Sequence, residues 1–448
     1  MREKVAIVFM TLSAVATLVL GGAVVHELNK KNVVATGVVS PTVATSNGTT
    51  ATQGTAGTQG TQGTAGKTVS SGGGTTTVGN LSTGTEGVSR GLITVGGIYD
   101  ETGPFDATVE RDTVRAYFNM VNAQGGVNGY KFRLVDCDSQ YDPTQAHQCV
   151  TKLVGQGILA MVGWLSVSGE QPETPNLTQA GVPVIGGLGV PSEFSSPISF
   201  PTTANLVRYG TAMGAHAADA SIAVHHPGII VLNANFIAPV QQALVDSLHK
   251  HGITETSVNP VDPTKADYTD IVLKLRRENA DSIIAGLDPF SYQRLFQAME
   301  RQSWNPKVMG LGLDKASANK DYGSAADNAQ SLTPLIEPAD HPSQPGIKQY
   351  TDAVQRYFPN QVAALDVYTE GDWVAAELFV EAIKRLGSKP VNRKNLVDAL
   401  NSIQNFDTQG LTKPLSYSAG NSHDPNKCFQ WIQKRSGTWT TYSGWNCF

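Results

Sequence analysis

Charge is scarce in this chain, and its basic residues form no cluster. Asp, Glu, Lys and Arg together make up 16% of the 448 residues, and the formal net charge is −5. A protein that binds nucleic acid needs a basic surface that neutralises phosphates. The composition therefore predicts no nucleic-acid partner. The length is sufficient for two lobes and an additional tail.

Motifs for catalysis and for metal binding are also missing. The sequence has no H-E-x-x-H motif and no C-x-x-C pair, and no P-loop lysine follows the glycine-rich loop at 186–191. These absences argue against a metalloprotease, a zinc site and a nucleotide site in that loop. One G-x-S-x-G match occurs at residues 87–91, where it precedes a predicted strand. A nucleophile elbow needs a strand before its serine and a helix after it. We therefore predict no enzyme activity at Ser89, no cofactor and no metal.

Cysteine is rare, with only four residues in the chain. An even number of cysteines in an exported protein suggests disulfide bonds, and proximity in sequence favours the pairs Cys137–Cys149 and Cys428–Cys447. The first pair would join the end of a strand to the next helix, and the second would close a C-terminal hairpin. The alternative is that all four are free, buried thiols.

The N-terminal segment carries the export signal. Residues 5–25 are mostly apolar and contain no charged residue, so they are longer than a typical signal-peptide core and long enough to cross a bilayer. Residues 1–35 are either a signal peptide, cut near Ala35, or an uncleaved N-terminal membrane anchor. In both cases the rest of the chain is expected outside the cytoplasm, at the cell surface or anchored in the membrane. It would be secreted if the segment is cleaved.

Residues 36–90 are of low complexity, built mostly of Thr, Gly, Ser, Ala and Gln. Glycine recurs at every third position from Gly54 to Gly66, but these triplets contain no proline and therefore cannot form collagen. The composition instead predicts a flexible, disordered tether. A coil of this length spans roughly 40 Å root-mean-square, enough to separate the body from a membrane.

A strand, a loop, a helix and a second strand follow one another from residue 91 to residue 138. Residues 92–99 are an apolar, β-branched run, residues 100–106 have the Thr-Gly-Pro composition of a loop, and residues 131–135 begin the second strand. The helix between them has one apolar face, formed by Val114, Tyr117, Phe118 and Val121. This βαβ unit implies a parallel sheet, in which ligands bind at the carboxyl ends of the strands.

The alternation of strands and helices continues in two successive series, which predicts an α/β protein with two lobes. The further strands are predicted at 158–163, 182–187, 228–232, 282–285 and 307–312. The further helices are predicted at 143–153, 171–179, 206–218, 240–249, 268–277, 292–301 and 370–386. Two antiparallel strands, at 428–432 and 438–442, are predicted near the C-terminus.

From residue 91 to the C-terminus, the sequence resembles the type I periplasmic solute-binding proteins of ABC importers, in the branched-chain amino-acid binding class. The resemblance rests on the DETGP loop, the helix that ends in VNAQGGVNGYKFRLVDCD, Asp142-Pro143, AMVGWLSVSGEQP at 160–172 and GVPVIGG at 181–187, in this order. It implies two Rossmann-like lobes with parallel sheets, joined by a hinge that the chain crosses three times. We place these crossings near Thr203, near Leu335 and near 411–415.

The resemblance also implies a domain organisation and a function. Lobe 1 would comprise residues 91–204 and 336–412, and lobe 2 would comprise residues 205–335 and 413–448. The chain would be a monomeric extracytoplasmic solute-binding protein that captures an amino-acid-like ligand, or a hydrophobic carboxylate or amide, for an ABC permease. The alternative is a membrane-tethered ligand-sensing ectodomain without a role in transport. No cysteine follows the apolar segment to carry a lipid, as it does in many relatives, and this favours a membrane-spanning anchor.

Two loops of lobe 1 are expected to supply ligand contacts at the interlobe cleft. In the first loop, Thr102 offers a hydroxyl and Phe105 an aromatic face, although this loop could also be a plain turn. In the second loop, Trp164, Ser166 and Ser168 precede a helix whose first backbone N–H groups suit a carboxylate. Ser166 could instead be the N-cap of that helix, which is a common role for serine.

The remaining contacts are expected from the third lobe-1 loop and from lobe 2. Leu188 and Gly189 lie in a glycine-rich loop that allows close approach of the backbone. In lobe 2, Phe236 would contact the ligand, and Asp288 or Asp314 would hold its ammonium group unless these aspartates are caps or solvated loop residues. Hydrophobic residues stand where the family has hydroxyl groups, namely Val167, Leu188 and Val190. This difference predicts a ligand whose apolar part is larger than that of leucine.

Overall fold

The structure is a computed structural model that describes residues 78–104 and 106–448. The predicted N-terminal segment at 1–35, most of the predicted tether and the candidate ligand residue Phe105 lie outside these residues. The described residues belong to one compact unit, and the description below concerns this unit. Over the described ranges, no helix is both long enough and apolar enough to cross a membrane.

The described residues alternate between strands and helices for most of their length. In chain order, the strands are β1 (Val88–Ser89), β2 (Leu92–Tyr99), β3 (Lys131–Asp138), β4 (Met161–Val162), β5 (Val184–Ile185), β6 (Ser199–Phe200), β7 (Pro227–Leu232), β8 (Ser257–Val261), β9 (Ser282–Gly286), β10 (Lys307–Leu311), β11 (Gln330–Thr333), β12 (Cys428–Arg435), β13 (Thr438–Thr441) and β14 (Asn446–Cys447). The helices are α1 (Thr108–Ala123), α2 (Pro143–Gly155), α3 (Glu170–Gln179), α4 (Leu206–Ala217), α5 (Ile237–Lys250), α6 (Thr269–Arg277), α7 (Pro289–Arg301), α8 (Ala316–Asn319), α9 (Pro345–Tyr357), α10 (Val367–Leu386) and α11 (Arg393–Asn401).

These strands form two sheets within the described part of the chain. The first sheet has the order β3-β2-β4-β5-β6, all parallel, and β1 pairs antiparallel with the start of β2. The second sheet has the order β8-β7-β9-β10-β11, also parallel, and continues into antiparallel β12 and β13, with β14 against β12. The predicted α/β architecture with parallel sheets is confirmed. In both sheets the strand order reverses beside the first parallel strand, and open α/β sheets bind ligands at such a reversal.

Helices cover both faces of each sheet. On the first sheet, residues of α1, α9, α10 and α11 form one hydrophobic cluster, and residues of α2 and α3 form another on the opposite face. On the second sheet, α6 and α7 supply one cluster, and α4 and α5 supply the other. Burial of apolar side chains on both faces of each sheet gives each sheet its own core.

Helix α10 is the central helix of the first core. Its N-terminus is fixed by a capping box, in which Asp366 accepts hydrogen bonds from the backbone of Thr369 while Thr369 Oγ1 accepts one from the Asp366 backbone. Such caps satisfy N–H groups that have no partner within the helix. The predicted apolar face is buried, with Ala376, Phe379, Val380 and Ile383 each 6% exposed or less.

The chain passes between the two sheets at three places. It leaves the first sheet after β6 and enters α4 of the second core, and it returns between β11 and Leu335, which belongs to the first core. The last passage follows Tyr417, which still packs in the first core, and precedes β12. It lies shortly after 411–415, since Leu415 still pairs with Phe406 of the first core. The lobe boundaries at 204, 335 and 412 remain a prediction.

All four cysteines are paired, and the predicted pairing is confirmed. The Cys137–Cys149 bond joins β3 to α2, and the Cys428–Cys447 bond joins β12 to β14. Both bonds connect elements close in sequence. Each therefore closes a short loop at the edge of a sheet.

Several features differ from the sequence-based expectation. Strands β4 and β5 have only two residues each, because Gly163 and Gly186 follow at positive φ angles of 64° and 88° and turn the chain out of the sheet. Strands β8 and β11 were not predicted, since both contain polar residues. Residues 78–90, which the composition assigns to the tether, include β1 and pack against the first core through Leu81 and Val88.

Candidate functional site

A cavity of about 110 Å³ lies between the two sheets. Apolar cavities of similar size, roughly 150 Å³, bind molecules such as benzene. Residues that follow strands of both sheets line this cavity, and most of their side chains are apolar. The lining comprises Tyr141, Trp164, Leu165, Val167, Gly187, Leu188, Thr203, Leu206, Tyr209, Leu232, Phe236, Ile237, Gly286, Leu287, Asp288, Pro289, Leu311, Gly312, Asp314, Lys315, Leu332, Pro334, Leu335, Val367, Tyr368, Gly371 and Asp372.

Five of the sequence-predicted site residues line the cavity, and each follows the carboxyl end of a strand. Trp164 follows β4 and Leu188 follows β5, in the first sheet. Phe236, Asp288 and Asp314 follow β7, β9 and β10, in the second sheet. The sequence could place these residues because the strands themselves were recognisable and parallel strands end at one edge of the sheet.

Four other predicted site residues do not line the cavity. Thr102 is exposed and donates a hydrogen bond to Asp138 Oδ2 at 2.7 Å. Ser168 Oγ donates to the backbone oxygen of Tyr141 at 3.0 Å. Ser166 is fully buried, and among the described residues its hydroxyl has no hydrogen-bond partner. Gly189 has φ +95°, and a Cβ there would lie 2.4 Å from the Ala204 carbonyl oxygen, so this glycine is required by the backbone.

Asp288 combines a capping role with a place at the cavity. Its carboxylate accepts hydrogen bonds from Ser291 N at 2.9 Å and from Ser291 Oγ at 2.5 Å, and it thereby caps helix α7. Burial raises the pKa of Asp288, although the hydrogen bonds from Ser291 act in the opposite direction. These contacts show that Asp288 is the N-cap residue of α7.

Asp314 and Lys315 lie where the second sheet meets the first core. Asp314 accepts hydrogen bonds from Tyr368 Oη at 3.2 Å and from Ser331 Oγ at 3.3 Å. Burial raises the pKa of Asp314 to about 7. The neighbouring Lys315 Nζ lies 2.5 Å from Glu110 Oε1 and 2.9 Å from Asp366 Oδ2. Lys315 follows β10 of the second sheet, whereas Glu110 and Asp366 belong to the first core, so this buried ion cluster connects the two sides.

Several cavity residues were not predicted from the sequence. Tyr141, Tyr209, Lys315, Tyr368 and Asp372 come from four separate parts of the chain. Only Tyr368 and Asp372 carried a usable signal, since their spacing of four residues near the start of α10 places both on one helix face.

Three of the lining residues have a polar atom without a hydrogen-bond partner among the described residues, namely Trp164 Nε1, Tyr141 Oη and Asp372 Oδ2. Buried polar atoms are normally paired, and these three atoms are themselves buried. Burial, followed by the charge of Glu110, raises the pKa of Asp372 well above its usual value.

The backbone N–H groups at the carboxyl ends of β4 and β5 are bonded to carboxylates of the chain itself. Glu170 accepts hydrogen bonds from Ser166 N at 2.9 Å and from Leu188 N at 2.7 Å. Glu193 accepts one from Gly189 N at 3.1 Å. Burial and the charge of Glu193 raise the pKa of Glu170 well above its usual value, and burial raises the pKa of Glu193 to about 7.

A third internal carboxylate belongs to Asp100, at the end of β2. It accepts hydrogen bonds from Val167 N at 2.8 Å, from Tyr141 N at 2.9 Å and from Ser139 Oγ at 2.7 Å. Val167 and Tyr141 both line the cavity, whereas Asp100 is fully buried behind them. Burial raises the pKa of Asp100.

Comparison with known proteins identifies the family of this chain. A family model described as periplasmic binding protein matches residues 92–438. Leu/Ile/Val-binding protein homolog 3 of Brucella melitensis is 24% identical over 311 residues, which cover 66% of this chain and 80% of that protein.

Two solved structures show the same fold at low sequence identity. A fatty acid ABC transporter substrate-binding protein from Thermomonospora curvata matches with a TM-score of 0.71 and 18% identity, over 82% of this chain and 95% of that one. A branched chain amino acid ABC transporter from Thermus thermophilus, with bound valine, matches with a TM-score of 0.72 and 15% identity, over 81% and 98%. The chain therefore belongs to the type I periplasmic binding proteins, in the branched-chain amino-acid binding family.

Proposed function

We propose that this protein captures a small solute in the cavity between its two sheets and delivers it to an ABC importer. The observation that carries this proposal is the cavity itself, because residues from the strand ends of both sheets line it. Ligand sites in α/β proteins form at such strand ends. A ligand there would contact both halves of the protein at once and would favour their closed arrangement.

The lining supports a ligand that is mainly apolar. Val167, Leu188, Leu232, Leu287 and Leu335 all contribute to it, and an apolar surface favours ligands that bury apolar groups. One similar structure is named for fatty acid and another holds valine, so the same fold accommodates apolar parts of different size. We propose an amino-acid-like ligand, or a hydrophobic carboxylate or amide, whose apolar part exceeds that of leucine.

Among the sequence-predicted residues, we assign direct ligand contacts to Trp164, Leu188, Phe236, Asp288 and Asp314. The side chains of Trp164 and Phe236 supply apolar surface. Asp288 and Asp314 would accept hydrogen bonds from the ligand in addition to those from Ser291 and Tyr368.

We further propose that the protein works outside the cytoplasm as a monomer, held there by residues 1–35 or released by their cleavage. The tether would then let the body reach a permease. No catalytic role is proposed, because Ser89 of the G-x-S-x-G match is exposed in β1 and is followed by β2 instead of a helix.

A thermal-shift screen of residues 78–448 tests the solute-binding proposal. The panel would contain amino acids, aliphatic and aromatic acids, their amides and small sugars. A ligand that binds only the folded protein raises its melting temperature by mass action. We expect a shift with mainly apolar compounds and none with sugars. A cooperatively unfolding sample that responds to no compound would contradict the proposal and would favour a sensor that binds another protein.

A further inference from the structure

We propose that Glu170 and Glu193 share one proton and act together as positioning residues for the wall that the first sheet contributes to the cavity. Both side chains are fully buried, one at the start of α3 and the other in a 3₁₀ helix at Glu193–Ser195. Neither lines the cavity, so neither is expected to touch a solute. The inference concerns how the cavity is held in shape and goes beyond the proposed function.

The pair holds the two loops that follow β4 and β5. Glu170 accepts hydrogen bonds from Ser166 N at 2.9 Å and from Leu188 N at 2.7 Å, and it thereby joins one loop to the other. Glu193 accepts a hydrogen bond from the next amide, Gly189 N, at 3.1 Å. Leu188 lines the cavity, and Ser166 lies between two residues that line it. These bonds therefore fix the backbone of the wall.

Gly187 shows how closely the wall lies against this pair. It lines the cavity, and a Cβ at this position would lie 2.7 Å from the carboxylate oxygens of Glu193. The backbone of the wall thus passes over the carboxylate and leaves no room for a side chain. A side-chain hydrogen bond joins Glu193 to Glu170, so the two acids meet directly behind the wall.

A hydrogen bond between two carboxyl groups requires a proton on one of them. No Lys, Arg or His of the described residues forms an ion pair with either acid, and two ionised carboxylates in contact would repel each other strongly in a buried site. Asp372 is a third buried acid nearby, and its pKa is raised by burial and by the charges of Glu110 and Glu170. The pair therefore keeps one proton and titrates as a unit.

The proton belongs on Glu170. Burial and the charge of Glu193 raise the pKa of Glu170 well above its usual value. Burial raises the pKa of Glu193 only to about 7, because the hydrogen bond from Glu170 acts in the opposite direction. Above neutral pH, Glu170 is therefore the protonated donor and Glu193 the ionised acceptor.

Amide substitutions distinguish the two members of the pair. In Glu193→Gln, the amide oxygen can accept from Gly189 N and the NH₂ group can donate to Glu170, which then ionises and keeps both of its backbone bonds. In Glu170→Gln, one oxygen remains for two backbone N–H groups, so Ser166 N or Leu188 N loses its acceptor. The position of the wall should survive the first substitution and not the second.

Infrared spectroscopy tests for the shared proton. The C=O stretching band of a protonated carboxylic acid is distinct from the bands of a carboxylate, and an exposed glutamate is fully ionised at about pH 8. At this pH we expect Glu193→Gln and Glu170→Gln each to lose one protonated-acid band. Glu300→Gln, at an exposed position in α7, is the matched control and should lose only carboxylate bands. Protonated-acid bands of wild-type intensity in Glu193→Gln would overturn the inference.

Hydrogen exchange at the amides of the two loops tests the positioning role. We expect wild-type protection in Glu193→Gln, and about fivefold or greater loss of protection at Ser166 or Leu188 in Glu170→Gln, since a buried N–H without an acceptor costs that much. Equal protection in the two variants would contradict the role of the pair. If Glu170→Gln does not fold, Glu193→Gln decides alone, because it must lose the acid band and keep wild-type protection. Neither measurement uses a ligand, so a negative result would leave the solute-binding function intact.

Discussion

Buried carboxyl groups are the most unusual residues of the candidate site. Glu170, Glu193, Asp314 and Asp372 are each 5% exposed or less, and burial is the main cause that raises the pKa of all four. Their identity as acids could be read from the sequence, but their burial could not. Burial depends on partners such as Leu188 N and Tyr368 Oη, which tertiary structure brings from distant segments.

Asp314 leads to a prediction about pH. Burial raises its pKa from 3.8 to about 7 in the folded protein. Its contribution to stability is therefore fully present below the pKa of the unfolded state and is lost as the pH rises through the pKa of the folded state. We expect the melting temperature to fall between about pH 4 and pH 7, and Asp314→Asn to make this fall smaller. The asparagine oxygen can still accept the hydrogen bonds from Tyr368 and Ser331.

Melting curves across this pH range check the expectation for Asp314. Asp321→Asn, at an exposed aspartate nearby, serves as the control and should follow the wild type. A fall of the same size in Asp314→Asn and in the wild type would show that Asp314 does not titrate in this range.

At the scale of elements, the sequence identified those with strong periodicity and missed those that depend on tertiary contacts. The apolar face of α10 and the buried runs of β2 and β7 were recognisable. The ends of β4 and β5 were not, because Gly163 and Gly186 turn the chain out of the sheet. The start of α10 contributes Asp366, Tyr368 and Asp372 to the site region. The sequence around Asp366 did not reveal that this residue pairs with Lys315.

The contact between Lys315 and the start of α10 yields a prediction about stability. Lys315→Met would leave Glu110 and Asp366 buried without their cation, and removal of one partner from a buried ion pair costs on the order of 3 kcal/mol. Lys348→Met is the matched control, because Lys348 pairs with Asp352 on an exposed surface and such pairs contribute about 1 kcal/mol or less.

Denaturant unfolding of both lysine variants measures this difference. We expect a large loss in the free energy of unfolding for Lys315→Met and a small one for Lys348→Met. Similar small losses in both would mean that Lys315 does not hold the second sheet to the first core.

At the scale of the whole molecule, the βα alternation and the family resemblance gave the fold class, the two sheets and the location of the site at their strand ends. Five candidate residues reached the cavity for this reason. Thr102 and Ser168 lie outside its lining, because the direction of a loop side chain depends on hydrogen-bond partners that only the folded chain provides. Tyr141, Tyr209 and Tyr368 also line the cavity. They come from segments far apart in sequence, which only the folded chain brings together.

The central claim is that a small apolar solute binds in the cavity between the sheets. Calorimetric titration of the best compound from the thermal-shift screen into Phe236→Ala and Phe290→Ala tests this claim most directly. Phe236 lines the cavity and is 5% exposed, whereas Phe290 is 40% exposed and does not line it. The account predicts a loss of affinity of about tenfold or more for Phe236→Ala and wild-type affinity for Phe290→Ala. Equal affinity in the two variants, both cooperatively folded, would place the ligand elsewhere and contradict the account.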